Sequence, residues 1–368
     1  MFATKALEEA DRIATICNAC RYCEGLCAVF PAIETKRAFL DADLTYFANL
    51  CHACGACFQD CQFSPPHEFN VNLPRVLAEV RGDSYKRYVW PRALGPIFDR
   101  NGLWISLLTA ISVAAFLLAF VAFADPAALF ATGSEAGAFY RLMPHAAMAA
   151  LFGAVFLYAI IAMTFGFRAF WREVGPARGL RGPSIWRAMR DAGELRYLGG
   201  GGDGCRNTGD VSPDHRRIYH HLTFYGFLLC FAATVVATGY HYAGGRLAPY
   251  AWYEPPVILG TLGGLGLLFG TLGLLAAKWR RDPIMEDEPR HGMDYAFTAM
   301  LFLTALTGLM LLFLRATAAM GILLALHLGV VFALFLTLPY GKFVHGLFRF
   351  GALLRFAVEK ESGVTIVE

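Results

Sequence analysis

Charge is what this chain has least of. Asp, Glu, Lys and Arg together make up 17% of its 368 residues, against an average near 25% for soluble domains. The formal net charge is only +3, which removes nucleic acid as a partner, because a phosphate backbone calls for a basic footprint. The first residues, MFATKALEEADRIATIC, lack an apolar h-region, so no secretory signal is expected. A Cys-rich segment behind them should then keep its thiols reduced in the cytoplasm. Cysteine is missing from almost all of the chain: of ten, only Cys205 and Cys230 fall outside the interval from Cys17 to Cys61. Also absent are a general acid–base pair, a nucleophile arrangement and a flavin fingerprint. Substrate dehydrogenation by this chain alone is therefore not expected.

What is abundant is apolar sequence, 57% by residue type. After a more polar stretch over residues 1–100 come six uncharged runs: Leu103–Ala124, Pro144–Phe167, Ile218–Gly245, Pro255–Ala277, Tyr295–Leu314 and Ala316–Gly341. Each reaches the roughly 20 residues that cross a hydrocarbon core of about 30 Å. Buried helices of a large soluble protein would be shorter and carry polar stripes. Lys and Arg alternate strictly between loops. They are dense before the first run, in the second loop (Arg168 to Arg217), in the fourth (Lys278 to Arg290) and in the tail, and single at Arg141, Arg246 and Arg315. By the positive-inside rule both termini are cytoplasmic, and Trp104, Trp171, Trp252 and Trp279 stand near run ends as an aromatic belt would place them. The stretch Gly199–Gly204 satisfies G-x-G-x-x-G, but no strand precedes it and no βαβ unit surrounds it. A flexible loop is the better reading.

The strongest motif is a spacing that occurs twice. Cys17, Cys20, Cys23 and Cys27 form C-x2-C-x2-C-x3-C, and Cys51, Cys54, Cys57 and Cys61 repeat it. Three cysteines two residues apart wrap one cubane, and the fourth crosses to the other, as in bacterial two-cluster ferredoxins. On that logic Cys17, Cys20, Cys23 and Cys61 hold one [4Fe–4S] cluster, and Cys51, Cys54, Cys57 and Cys27 hold the second. Structural zinc is the plain alternative, but zinc sites usually pair two C-x2-C knuckles. The ferredoxin run ends in Cys-Pro, whereas here Ala28 and Gln62 follow, with Pro31 and Pro65 displaced downstream. Cys230, inside a span, reads as a packing residue. His52 reads equally well as a group tuning a cluster sulfur or as a solvated loop histidine.

Ionisable residues inside spans default to function. His327 lies in the last run and His345 just beyond it. Treated as one helix, the 18 residues between them are about five turns and roughly 27 Å, placing both on one face. The third run offers His220 and His221 at its inner end and His241 near its outer end. His220 suits a shared face better than His221. Antiparallel helices would pair His220 with His345 inside and His241 with His327 outside, as axial ligands to one or two b haems. Snorkelling to the interface is the bland alternative for His145, His220 and His345.

The segments CNACRYCEGLCAVFPAIE and NLCHACGACFQDCQFSPPHEFNVNLPRVLAEVR, and the stretch leading to Trp90-Pro91, resemble the tricarballylate-utilisation (citrate-utilisation) protein B family. The likeness runs through the chain in order, and the residues between the cysteines match along with the spacing. The segment from His327 through LPYGKFVH is also similar to the final helix of nitrate reductase gamma subunits, where two histidines on one helix ligate two b haems. The resemblance implies a partner, a soluble FAD-dependent tricarballylate dehydrogenase-like flavoprotein whose reduced flavin is reoxidised, and quinone as the final acceptor.

The fold expected is all-α: a six-helix transmembrane bundle behind an N-terminal α-helical ferredoxin-like domain with two [4Fe–4S] clusters. Residues 1–100 form the cytoplasmic head, 101–345 the haem b bundle in the bacterial inner membrane, and 346–368 a cytoplasmic tail. The activity expected is that of an oxidoreductase component. The basic loops contact anionic membrane lipid or the partner. The competing architectures are a haem-free iron–sulfur anchor and a transporter with a regulatory iron–sulfur head, the latter marked by broken helices at mid-membrane.

Overall fold

Thr4 accepts a hydrogen bond from the Leu7 N–H at 3.2 Å and caps α1 (Lys5–Cys20), which Arg21 ends in the left-handed conformation at φ 56°. Helix α1 buries Leu7, Ala10, Ile13 and Ala14, the 3.6-residue stripe that docks an amphipathic helix on a core. Helices α2 (Val29–Glu34), α3 (Asp41–Leu50), α4 (Ala56–Gln59) and α5 (Leu73–Tyr88) complete the head. Asn72 caps α5 by accepting from the Arg75 N–H at 3.2 Å, with Pro74 in the first turn where it costs no hydrogen bond. This computed structural model describes residues 2–132, 135–176, 179–202 and 215–362, and among them there is helix and turn but no strand.

The apolar runs become α6 (Asn101–Phe123), α9 (His145–Val174), α11 (Arg216–Gly244), α12 (Pro255–Trp279), α13 (His291–Leu314) and α14 (Met320–Thr337). Short helices α7 (Pro126–Leu129) and α8 (Ala138–Leu142) lie between α6 and α9, and α10 (Gly182–Gly193) lies between α9 and α11. With their flanking turns, six helices are long and apolar enough to cross a membrane. They are not equivalent. The last has 61% of its apolar window buried and the third only 6%, so α14 is the centre of the bundle and α11 its rim. Helix α14 packs on α6, α9 and α13, whereas α11 runs along α12.

Glycines explain that last contact. A Cβ on Gly263 would stand 2.7 Å from the Cys230 backbone nitrogen, and one on Gly226 would stand 2.8 Å from the Gly263 carbonyl. Two backbones touch there, the close approach that small residues permit between apolar helices. Helix α12 is continuous, so its glycines serve packing and not a broken-helix site.

Two expectations about the C-terminal end change. The last span and His345 do not share a helix, because Leu338–Tyr340 forms a 3-10 turn and Gly341 is extended before α15 (Val344–Glu361) begins. Pro339 lacks the N–H that a continuing helix would require. The same-face argument for His327 and His345 therefore does not hold. The segment beyond residue 345 is also no loose tail. Helix α15 packs on α3, α9 and α10, and Phe348, Ala352 and Leu353 join one core with Tyr46, Phe47 and Leu77 of the head. Arg355 clinches it, bonding Asp43 at 2.6 Å and the Val174 carbonyl at 3.1 Å while its guanidinium lies 4.2 Å from the Tyr46 ring centroid.

Gly263→Leu is expected to destabilise the detergent-solubilised protein by about 1–3 kcal/mol through overpacking, read as a lowered thermal midpoint. Gly239→Leu, with nothing within 4 Å of its Cβ position, should leave the midpoint unchanged.

Candidate metal centres

The eight head cysteines assemble across the two motifs. Cys17 has Cys20, Cys23 and Cys61 as its sulfur neighbours, and Cys27 has Cys51 and Cys54. Cys57 joins Cys51, Cys54 and Cys27, and also senses Cys23 across the gap between the two groups. The fourth cysteine of each run is thus found with the first three of the other. A small cavity lies among Cys17, Cys20, Cys23 and Cys61, with Tyr22, Gln62 and Phe63 at its walls.

The donor set can be tested for fit. Burial, reinforced by neighbouring sulfurs, pushes the Cys17 and Cys23 thiols up to about 12. Burial likewise raises Cys27 and Cys57. Four sulfurs crowded together in such a place ionise only if cations share it. Among the described residues no three His, Cys, Asp or Glu side chains converge as a single metal ion requires. Around a cubane each thiolate binds its own iron, so the ligands stand farther apart than those of one zinc ion. The quartets therefore suit clusters. Backbone donors are also in place: the N–H groups of Val29 and Phe30 at the start of α2 serve Cys27, and those of Phe63 and Ser64 serve Cys61. Gln62, standing where a ferredoxin has proline, points its amide at Cys20 Sγ from 3.8 Å.

The second quartet is set into the protein by cations. Arg81 donates to the carbonyls of Ala48 and Cys51 at 3.2 and 2.8 Å. Arg349 donates to the Cys51 carbonyl at 2.7 Å, and Arg216 to the Ala53 carbonyl at 3.0 Å. None of these arginines was singled out by sequence reasoning, since no motif marks a guanidinium that meets a backbone carbonyl of a distant segment. The glycine run was also misread in part. Arg196–Gly202 forms a 3-10 turn in which Gly200, at φ +50°, comes so close to the second quartet that a Cβ there would stand 3.6 Å from Cys54 Sγ. The rest of that run and Cys205 lie outside the described residues.

Next to this quartet a cavity of about 540 Å³ opens between head and bundle. Its walls hold Cys54 and His52 from the head, His220, Phe224 and Phe227 from α11, Lys278 from α12, Asp294 from α13, and His345 and Arg349 from α15. The rings of His220 and His345 face each other with centroids 6.2 Å apart and planes at 77°. Two metal–nitrogen bonds of about 2 Å plus the ring radii come to roughly 6 Å, so His220 and His345 would be able to hold one metal ion between them. Burial, with Arg349 and Lys342 beside it, holds His345 neutral and well below the usual histidine range, the form in which an imidazole ligates. His345 Nδ1 lies 2.5 Å from the Lys342 carbonyl, a contact that fixes how the ring is turned and leaves Nε2 toward the cavity side for a ligand role. His52 is buried and neutral for the same reason, with Nδ1 3.1 Å from the Leu50 carbonyl. His221 turns away and stacks on Tyr225.

At the other end of the bundle the expected pairing is replaced. His241 stacks on His145 with ring centroids 3.4 Å apart and planes at 15°, too close for an iron between them. His327 sits against α13, its Nδ1 3.0 Å from Thr307 Oγ1 and its ring filling the space beside Gly308. The cause is topological: α14 sits at the bundle centre and α11 at the rim, so equal depth does not bring their histidines together.

A family model described as Citrate utilization protein B matches residues 98–364, and one described as Citrate utilization protein B Fer4-like domain matches residues 10–87. A curated Escherichia coli protein named Citrate utilization protein B is 49% identical over 366 residues, 98% of this chain and 94% of that protein. No solved structure matches the chain. With a Fer4-like head ahead of six membrane-type helices, the chain belongs to the Citrate utilization protein B family.

Proposed function

We propose that this chain is a membrane electron carrier that reoxidises the reduced flavin of a soluble dehydrogenase and reduces quinone. Two [4Fe–4S] clusters and haem b would supply the one-electron chemistry; the protein supplies spacing, burial and ligands. The observation that carries the reading is adjacency: Cys54 of the second thiol quartet and the facing pair His220 and His345 line the same cavity.

The charge of that cavity supports haem as its occupant. Its walls carry Arg81, Arg216, Lys278, Arg281, Arg290, Lys342 and Arg349 against Glu286, Asp287 and Asp294. Asp294 is already held by Lys278 at 2.9 Å and Lys342 at 2.7 Å, and Glu286 by Lys278 at 2.9 Å and Arg281 at 3.2 Å. The excess of buried positive charge favours an anionic guest, and the two propionates of haem b match it. Phe224 and Phe227 offer apolar area for the macrocycle. The six apolar helices support a position for this centre at one membrane surface. The alternation of basic loops supports the cytoplasmic surface, with head and termini on the cytoplasmic side of a bacterial inner membrane.

The partner is read from its chemistry. The resemblance to the tricarballylate-utilisation family supports a soluble FAD-dependent tricarballylate dehydrogenase-like flavoprotein as the electron donor, and the name of the Escherichia coli relative speaks of citrate utilization.

Anaerobically purified protein should contain about eight non-haem irons and at least one haem b by pyridine haemochrome, from the ligand count. His220→Ala and His345→Ala should each abolish the haem α-band on the cytoplasmic side while leaving the non-haem iron in place. Zinc in the head, or a spectrum untouched by both substitutions, would refute the reading. Cys61→Ser and Cys27→Ser should perturb different cluster signals in electron paramagnetic resonance, since the two residues serve opposite quartets. A common signal lost in both variants contradicts the crossed arrangement.

A further inference from the structure

The two thiol quartets sit in opposite electrostatic surroundings. Around the first, Cys23 senses the Asp60 carboxylate. Tyr22, on the wall of its cavity, is 72% exposed, so this quartet lies near water and within reach of a docking protein. Around the second, three guanidiniums close on the backbone of the ligand segment itself, Arg81 and Arg349 both on the Cys51 carbonyl and Arg216 on Ala53. Arg81 is only 8% exposed. The ionisable groups that weigh most on Arg349 are Arg81, Tyr85, Cys51 and Arg216.

Taking up an electron adds one negative charge to a site that is already anionic. Burial opposes that gain, because the more highly charged state loses more hydration. Fixed cations favour it, and more strongly where water is excluded. At the second quartet the two effects compete, and the cations prevail: there are three of them, they are anchored by hydrogen bonds, and guanidiniums do not discharge by losing a proton. At the first quartet the carboxylate of Asp60 acts on Cys23 and opposes reduction, and the guanidinium in the same run, Arg21, is exposed to water, which screens it.

From this contrast we infer that Arg81, Arg216 and Arg349 make the site of Cys27, Cys51, Cys54 and Cys57 the electron exit of the head, at a higher reduction potential than the site of Cys17, Cys20, Cys23 and Cys61. The inference rests on the iron–sulfur reading of the head. An electron from the partner's flavin enters at the exposed quartet. It moves on to the arginine-held quartet, the first site losing one electron and the second gaining it, with no proton transferred. The same three arginines line the cavity of His220 and His345, so the charge that draws the electron inward also faces its next stop. They are positioning residues, acting on the potential through the protein.

The test is a redox titration of full-length, anaerobically purified protein followed by electron paramagnetic resonance. Two couples of unequal potential are expected, and Cys61→Ser should perturb the lower one. Arg349→Gln should lower the upper couple, cutting its reduced fraction at a fixed ambient potential by about tenfold, or about 59 mV for one electron. Arg349→Lys should restore most of the shift, and Gln62→Leu, at the Cys20 sulfur, should move the lower couple alone. A Cys61→Ser effect on the upper couple, or an upper couple unmoved by both Arg349→Gln and Arg216→Gln, overturns the inference while leaving the relay itself standing. Equal displacement of both couples by Arg349→Gln overturns it too, since a local charge cannot act so. A preparation with no cluster signal and no iron overturns the reading of the head and this inference with it.

Discussion

The carbonyl oxygens at the C-terminal end of α3 need donors, and they find them on other elements. A helix leaves its last carbonyls without partners inside the helix and concentrates partial negative charge there. Here Ala48, Asn49 and Cys51 are met by Arg81 from α5 and Arg349 from α15, and Ala53 by Arg216 from the start of α11. One short segment, carrying Cys51, is thereby fastened to the head, to the last helix and to the rim of the bundle. Without those donors the carbonyls would be buried and unsatisfied, at a cost of about 1–3 kcal/mol each. The head is consequently part of the bundle's inner face. It is not a domain on a tether.

That fastening shapes the chemistry beside it. It brings Cys54 of the second thiol quartet, His52 and the facing pair His220 and His345 to a single cavity. Burial lowers Arg349 only to about 10, so it stays charged at neutral pH, while the imidazole of His345 close by is kept neutral. Cations that cannot discharge and histidines that do not charge are a combination suited to holding an anionic metal complex. Lys342 is pushed down to about 8 by burial, with Asp294 pulling the other way, so even the lysine there keeps its charge through its carboxylate partner.

Much of the candidate site could be read from spacing. The twin cysteine runs placed Cys61 with Cys17 and Cys27 with Cys51, and in the structure Cys61 neighbours Cys17 and Cys51 neighbours Cys27. Helical phase also favoured His220 over His221, and His220 is the one that faces His345. The outer histidines were misjudged for an identifiable reason. Matching His241 to His327 used depth alone, and depth does not say which helices are neighbours. Extending one helix to His345 ignored Pro339 and Gly341, whose break carries His345 under the head. Arg349 and Gly200 had no signal in the sequence, since their meaning lies in a carbonyl and a sulfur far away along the chain.

The sequence by itself determined the features that depend on near neighbours: six apolar stretches that must become helices in a membrane, because no other open structure satisfies its backbone there, and two thiol runs whose spacing suits iron. Tertiary structure decided which distant groups meet. Only packing could put α14 at the centre and α11 on its glycine-smoothed flank along α12, bend α15 back beneath the head, and bring three guanidiniums to one set of carbonyls. Those contacts join residues some 30 to 300 positions apart. Their partners are selected by shape and charge at long range, which no local pattern records.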